Sequence, residues 1–206
     1  MVDPYVLLAF VPAALALNLT PGADMMFCLG QGLRSGRRSA VAASAGISAG
    51  GMVHVALAGL GLGAAVAALP VLFDLIRWLG VGYLLYLAWS SLRHPAAIQE
   101  LPGAPAHRAF VEGFLVNLSN PKVILFVLAF VPQFVDPSAG AVLGQFLIFG
   151  LVLGLGGFLV NGLVGVFAGH AGKHLIRSPL ALRWLGRISS GIFAGLALRL
   201  AFLERT

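Results

Sequence analysis

Cysteine is almost missing from this chain of 206 residues, where Cys28 stands alone. One thiol makes no intrachain disulfide, no Cys-x-x-Cys pair and no thiolate metal cage. A disulfide scaffold, thiol electron transfer and a structural zinc site therefore drop out together. Charge is scarce too: Asp, Glu, Lys and Arg make up 10% of the residues, against about 25% in a soluble domain. With 59% hydrophobic residues and a mean hydropathy of +0.96, the chain cannot hide its apolar surface from water, and the solvent that fits is lipid. Seven acidic residues leave no clustered acid, base and nucleophile for hydrolysis, so no enzyme is expected. Cofactors and metals are not expected either, because a cation site wants several carboxylates or imidazoles at membrane depth, and only Asp24 and His54 qualify. Strand-like alternation is also missing. Apolar segments longer than about 18 residues read as helices, the form that satisfies its own backbone in lipid. The start, Met1-Val2-Asp3-Pro4, lacks the basic region of a cleavable signal peptide, so the first apolar run is expected to stay as a helix.

What is present is organised in six apolar segments, at about residues 5–33, 40–69, 73–92, 110–135, 142–168 and 182–203. The first is interrupted at Pro21-Gly22 and the fourth at Pro121. The sixth contains Arg187 and Arg199, which leave a short charge-free core between them and whose long side chains reach opposite interfaces; the alternative is five spans and an interfacial C-terminal helix. The formal net charge of +6 reads as cytoplasmic loops facing anionic lipid rather than as a nucleic-acid surface. Arg34, Arg37 and Arg38 follow segment one, Arg93 and Arg108 follow segment three, and Lys173, Arg177 and Arg183 follow segment five. The even-numbered connections are nearly free of bases. The positive-inside rule puts the odd connections in the cytoplasm and both termini outside.

Segment one carries Asn18-Leu19-Thr20-Pro21-Gly22-Ala23-Asp24, and segment four carries Asn117-Leu118-Ser119-Asn120-Pro121-Lys122. The two motifs lie about half the chain apart. They predict a single transmembrane transporter domain over residues 1–206 with pseudo-repeats at about 1–92 and 109–206, joined by a loop at about 93–108. Three spans per half is an odd number, so the halves enter the membrane in opposite senses: an inverted 3+3 repeat with proline-broken helices one and four. Matched breaks in inverted repeats point to a transporter's midplane site. Proline opens the hydrogen-bond ladder, and the freed carbonyls and half-helix N-termini face a cavity. There Asn18, Thr20, Pro21, Gly22, Asn117, Ser119, Asn120 and Pro121 are the candidate substrate-binding residues, together with Asp24 and Lys122. An ionisable group deep in an apolar run is a functional candidate by default. Asp24 is assigned to a substrate ammonium or an exchanging proton, and Lys122 to the substrate carboxylate. An Asp24–Lys122 ion pair that merely ties the breaks together is the alternative.

The first motif, with Gly46-Ile47-Ser48-Ala49-Gly50, Gly82-Tyr83-Leu84-Leu85-Tyr86-Leu87-Ala88-Trp89, Gly113-Phe114-Leu115-Val116-Asn117-Leu118-Ser119-Asn120-Pro121-Lys122 and Phe130-Val131-Pro132-Gln133-Phe134, resembles the lysine-exporter family in its homoserine/threonine-efflux branch. The order and spacing match over about residues 5–203. The resemblance implies a six-helix exporter in the bacterial inner membrane, moving amino acids or close derivatives and driven by the proton gradient. The family usually has a second proline where this chain has Ala23, which implies a less rigid first break.

His54 and Asn161 are candidate relay residues in segments two and five; hydrogen bonding between helices is the plainer role for each. Gly46-x-x-x-Gly50, Gly59-x-x-x-Gly63, Gly165-x-x-x-Gly169 and Gly191-x-x-x-Gly195 are small-residue faces for close helix approach, within the monomer by default and in a homodimer as the sharper option. Gly154-Leu155-Gly156-Gly157 is a hinge or a packing face. Trp78, Tyr83, Tyr86 and Trp89 are interfacial anchors or packing residues. His170, Lys173 and His174 read as a solvated cytoplasmic cluster. The rival functions are export of metal cations or other small solutes, and a non-transporting membrane assembly protein.

Overall fold

The computed structural model describes residues 2–68, 71–93, 103–168 and 179–202. These residues form eight α-helices and no strand: α1 (Pro4–Leu19), α2 (Ala23–Ser35), α3 (Arg37–Ala68), α4 (Val71–Arg93), α5 (Ala106–Leu118), α6 (Pro121–Ala129), α7 (Val142–Phe167) and α8 (Pro179–Ala201). Each expected apolar segment is therefore helical, to within a few residues at its ends. The His170, Lys173 and His174 cluster and most of the expected loop at 93–108 lie outside the described residues.

Local chemistry sets the helix ends. The Asp3 carboxylate accepts from the Tyr5 N–H at 2.7 Å and Pro4 occupies the first turn, so α1 starts there. Pro21 has no N–H to extend α1, which ends at Leu19 with Thr20 as its C-cap. At the second break the Asn120 side chain accepts from the Lys122 N–H at 3.0 Å, and Pro121 opens α6. The bends are nearly equal, 55° between α1 and α2 and 54° between α5 and the stretch that α6 begins. Pro12 lies inside α1 without ending it. Helix α2 turns into α3 through Gly36 alone, at φ 82, a left-handed conformation that favours glycine.

Within α3 and α7, stretches of 25 and 26 residues are apolar and long enough to cross a membrane. At 1.5 Å per residue each runs roughly 37–39 Å, against a hydrocarbon core of about 30 Å. Each bent pair passes the same test as one span, so the described residues hold two to four candidate spans. Helix α7 displays both environments. Leu151, Leu155, Leu159, Leu163 and Phe167 form an exposed stripe at four-residue spacing, while Phe146, Phe149, Leu153, Gly157 and Asn161 are buried. The stripe faces lipid.

Helices α3 and α7 form the centre. Ser44 and Ser48 of α3 donate to the Phe158 and Gly154 carbonyls of α7 at 2.8 and 2.9 Å, so the two helices run antiparallel. Glycine allows the close crossings. A Cβ at Gly46 would collide with the Phe110 backbone of α5, one at Gly113 with Ala43 of α3, and one at Gly150 with Val55. The small-residue faces at Gly46, Gly50, Gly59 and Gly165 therefore pack inside the monomer. Near one end of the bundle Phe10, Phe130, Phe134 and Phe149 form an aromatic cluster, with ring centroids 4.9–5.1 Å apart at the closest pairs. The connection before α7 is held by Gln145, which accepts from the Asp136 N–H and donates to the Asp136 carbonyl. The Ser138 hydroxyl and N–H bond the exposed Asp136 carboxylate and hold it below its ordinary pKa.

Candidate functional site

The two breaks meet over one cavity of about 540 Å³, counting its open mouth. Its walls come from the breaks, α3 and α7. Asn18, Thr20 and Asp24 line it from the first break, and Asn117 and Lys122 from the second. Asn161 lines it from α7. Apolar wall is supplied by Val55, Val127 and Leu153, among others. Asp24 and Lys122 are the acid and the base in this lining, one from each break.

Asp24 sits in the first turn of α2, where a carboxylate is favoured by the positive end of the helix dipole. It is buried. Its Oδ2 accepts from Asn117 Nδ2 at 2.9 Å, a bond that crosses from one break to the other. Among the described residues its Oδ1 has no partner, and neither has Asn117 Oδ1 or Asn120 Nδ2, all three being buried. Leaving such a group unpaired costs about 1–3 kcal/mol. Asn117 is itself fixed from α3, because His54 Nε2 lies 3.2 Å from its carbonyl. A carbonyl only accepts, so Nε2 carries the proton.

Lys122 reaches the opposite way. Its Nζ donates to the Leu17 carbonyl at 3.1 Å and to the Thr20 carbonyl at 2.9 Å, the carbonyls freed at the end of α1. A cation there also meets the negative end of the α1 dipole. Gly22 makes room: a Cβ on it would lie 3.1 Å from Nζ. Gly22 is the N-cap of α2 and brings no side chain to cap it. Asn18 ties the last turn of α1 to α7 by donating to the Leu153 carbonyl at 3.2 Å. The Thr20 hydroxyl is turned back to the Ala16 carbonyl.

The expected site is thus brought together in part. Asn18, Thr20, Asp24, Asn117, Lys122 and Asn161 share the cavity. Ser119 and Pro121 do not: both are exposed, on either side of the buried Asn120. Pro21, Gly22 and Asn120 shape the breaks without lining the cavity, and His54 supports Asn117 from behind. Asp24 and Lys122 make no ion pair with each other among the described residues. Asn117 and the α1 carbonyls are the partners instead, and the pairing expected as an alternative is replaced by two separate ties. Sequence reasoning missed Ser48, Gly51 and Gly154 as wall residues. The small-residue run at 46–51 was the available signal, but such a run equally describes a packing face.

The sequence profile of the LysE type translocator matches residues 15–204. A leucine efflux protein of Enterobacter sp. is 32% identical over 200 residues, which cover 95% of this chain and 94% of that protein. A homoserine/homoserine lactone efflux protein of Salmonella typhimurium is 34% identical over 146 residues, 69% of this chain and 70% of its own. An uncharacterized membrane protein of Vibrio cholerae is 33% identical over 205 residues, 97% and 98% of the two chains. No solved structure matches. Matched along nearly its whole length, and built around two broken helices, the chain belongs to the LysE type translocator family and is a membrane transporter rather than an enzyme.

Proposed function

We propose that the chain is a secondary exporter that carries amino acids or close derivatives out across the bacterial cytoplasmic membrane. Six spans do this in an inverted 3+3 repeat: the α1–α2 pair, α3, α4, the α5–α6 pair, α7 and α8. The antiparallel run of α3 against α7, the second span of each half, supports the inversion, and so do the near-equal bends. The basic connections put the turn at Gly36 on the cytoplasmic side.

The observation that carries the reading is the pair of unpartnered buried acceptors, Asp24 Oδ1 and Asn117 Oδ1, on a cavity between two helix breaks. An ammonium has three N–H donors and suits two such oxygens. The substrate carboxylate goes to the remaining Lys122 donor and to the α2 N-terminus, whose glycine N-cap leaves its N–H groups open. When the ammonium leaves, a proton on Asp24 takes its place, which couples export to proton entry. The names of the leucine and homoserine efflux relatives support the amino-acid class.

The test uses a strain stripped of its own exporters and loaded with single amino acids, homoserine or dipeptides. Expression of the parental chain lowers intracellular accumulation of at least one compound, and a protonophore stops the effect. Asp24→Asn, which keeps a partner for Asn117, abolishes it. Full export by the Asp24→Asn protein would sink the role given to the carboxylate.

A further inference from the structure

Some glycines of α3 and α7 are fixed by helix contact, while others, Gly61, Gly144 and Gly162 among them, have room for a Cβ away from the cavity. A Cβ at Gly46 or Gly165 would run into backbone of a neighbouring helix, and one at Gly59 or Gly150 would press on Phe146 or Val55. Those glycines are required by helix contact. Gly51 and Gly154 are different, and both line the cavity. A Cβ at Gly51 would meet Asn117 Oδ1 at 3.6 Å, and one at Gly154 would meet Met52 Sδ at 3.8 Å and the Ser48 carbonyl at 4.0 Å. These are ordinary contact distances, so packing leaves room for a side chain at either position. Neither glycine has a positive φ. A helix interior favours alanine over glycine, and neither close contact nor backbone conformation explains glycine here. What sets them apart from the other glycines with room to spare is the open space in front of them, beside the apolar wall of Val55, Val127 and Leu153.

We infer that Gly51 and Gly154 set the upper size of the substrate side chain, holding open an apolar subsite for aliphatic groups. This rests on the amino-acid export reading. The two positions act differently. A Cβ at Gly154 would approach Met52 and the Ser48 carbonyl but neither unpartnered oxygen, so this position limits size alone. Gly51 lies beside the free Asn117 oxygen, so a side chain there also covers the acceptor that meets the ammonium.

The experiment measures export of alanine, valine, leucine and phenylalanine from loaded cells by the parental chain, Gly154→Ala, Gly154→Val and Gly51→Ala, with the amount of each protein in the membrane quantified. Gly61→Ala serves as control, since Gly61 is exposed and meets nothing within 4 Å. In Gly154→Ala the ratio of the largest exported substrate to alanine falls roughly tenfold or more, the scale of one misplaced methyl in an apolar pocket. In Gly154→Val it falls further while alanine export persists. Gly51→Ala lowers export of every member of the series, the larger ones most, and Gly61→Ala matches the parent. Unchanged ratios in both Gly154 variants would overturn the inference while leaving the exporter reading standing. Equal loss of all substrates in Gly154→Ala would also overturn it, because the methyl would then act on the fold. A parental chain that exports no member of the series overturns the inference, because no aliphatic side chain is then carried, while the exporter reading is judged separately on the wider panel with homoserine and dipeptides.

Discussion

The first break and the second bend by nearly the same angle, 55° and 54°, yet they satisfy their backbones in different ways. The second is capped locally: Asn120 caps the N-terminus of α6 from within its own motif. The first is not. Its N-cap is Gly22, without a side chain, and the carbonyls of Leu17 and Thr20 are met by Lys122 from the other break. In return Asn117 of the second break holds Asp24 of the first. Equal geometry thus carries unequal chemistry. The polar side chains of the second break complete the first, and the groups left over lie between them. A deep charge costs about 2.5–3.5 kcal/mol on insertion scales, and these cross-ties help to offset that cost. They also make the two broken helices one mechanical unit.

The largest effect expected from breaking that unit comes from Lys122→Met. It removes two bonds from a charged donor, each worth about 1.5–3 kcal/mol, and strands the carbonyls at the end of α1. Export is lost, and the purified protein in detergent is destabilised by about 3 kcal/mol, read as a lower melting temperature. Lys122→Arg does not rescue, because the ammonium already sits so close over Gly22 that even a Cβ there would lie 3.1 Å from it, and a guanidinium is larger. A Lys122→Met protein with unchanged melting temperature and lost export would break the comparison, since Lys122 would then serve substrate alone.

Next in size is an exchange of the two cross-tied side chains. Asn117→Asp alone sets two carboxylates against each other across the 2.9 Å contact and abolishes export. Asp24→Asn alone removes the anion. The double variant, Asp24→Asn with Asn117→Asp, keeps one carboxylate and one amide in contact but moves the anion to the second break. It recovers export above either single variant, with a coupling of about 1–3 kcal/mol between the positions when the rates are treated as a double-mutant cycle. Additive losses would mean that the anion must belong to α2, where the helix dipole favours it.

The helices were legible because hydropathy in a membrane chain is a strong local signal: residues 142–168 as an apolar run became α7 almost residue for residue. The breaks were legible for an equally local reason, since Pro21 and Pro121 forbid a continuous ladder whatever surrounds them. Partnership was not legible. Lys122 has one counterpart in the matching motif that draws the eye, Asp24, and opposite charges suggest a pair. The structure gives it carbonyls instead, because a broken helix presents freed acceptors that have no letter in the sequence. Ser119 misleads in the other direction. It matches Thr20 by position, but Thr20 is buried and Ser119 is exposed. The cavity walls escaped for a third reason: Gly154 reads in the sequence as a hinge or a packing face, Gly51 merely follows the Gly46–Gly50 face, and only the space around each in the fold separates a wall glycine from a packing one.

The smallest expected effects lie in completing the second break, because its helix cap comes from within its own motif. Asn120→Ala removes the cap of α6 and costs about 1 kcal/mol. It also removes the unpartnered Nδ2, so part of that loss is returned. Export falls only a few-fold, far less than with Lys122→Met. Tyr83→Phe is weaker still. The Tyr83 hydroxyl donates to the Pro121 carbonyl at 3.3 Å, a long bond whose loss costs at most about 0.5–1 kcal/mol, and export changes less than twofold. The order Lys122→Met, Asn120→Ala, Tyr83→Phe follows from which break each side chain completes. If Asn120→Ala proved as damaging as Lys122→Met in both melting temperature and export, the second break would depend on its cap as much as the first depends on Lys122, and the asymmetry drawn between them would be lost.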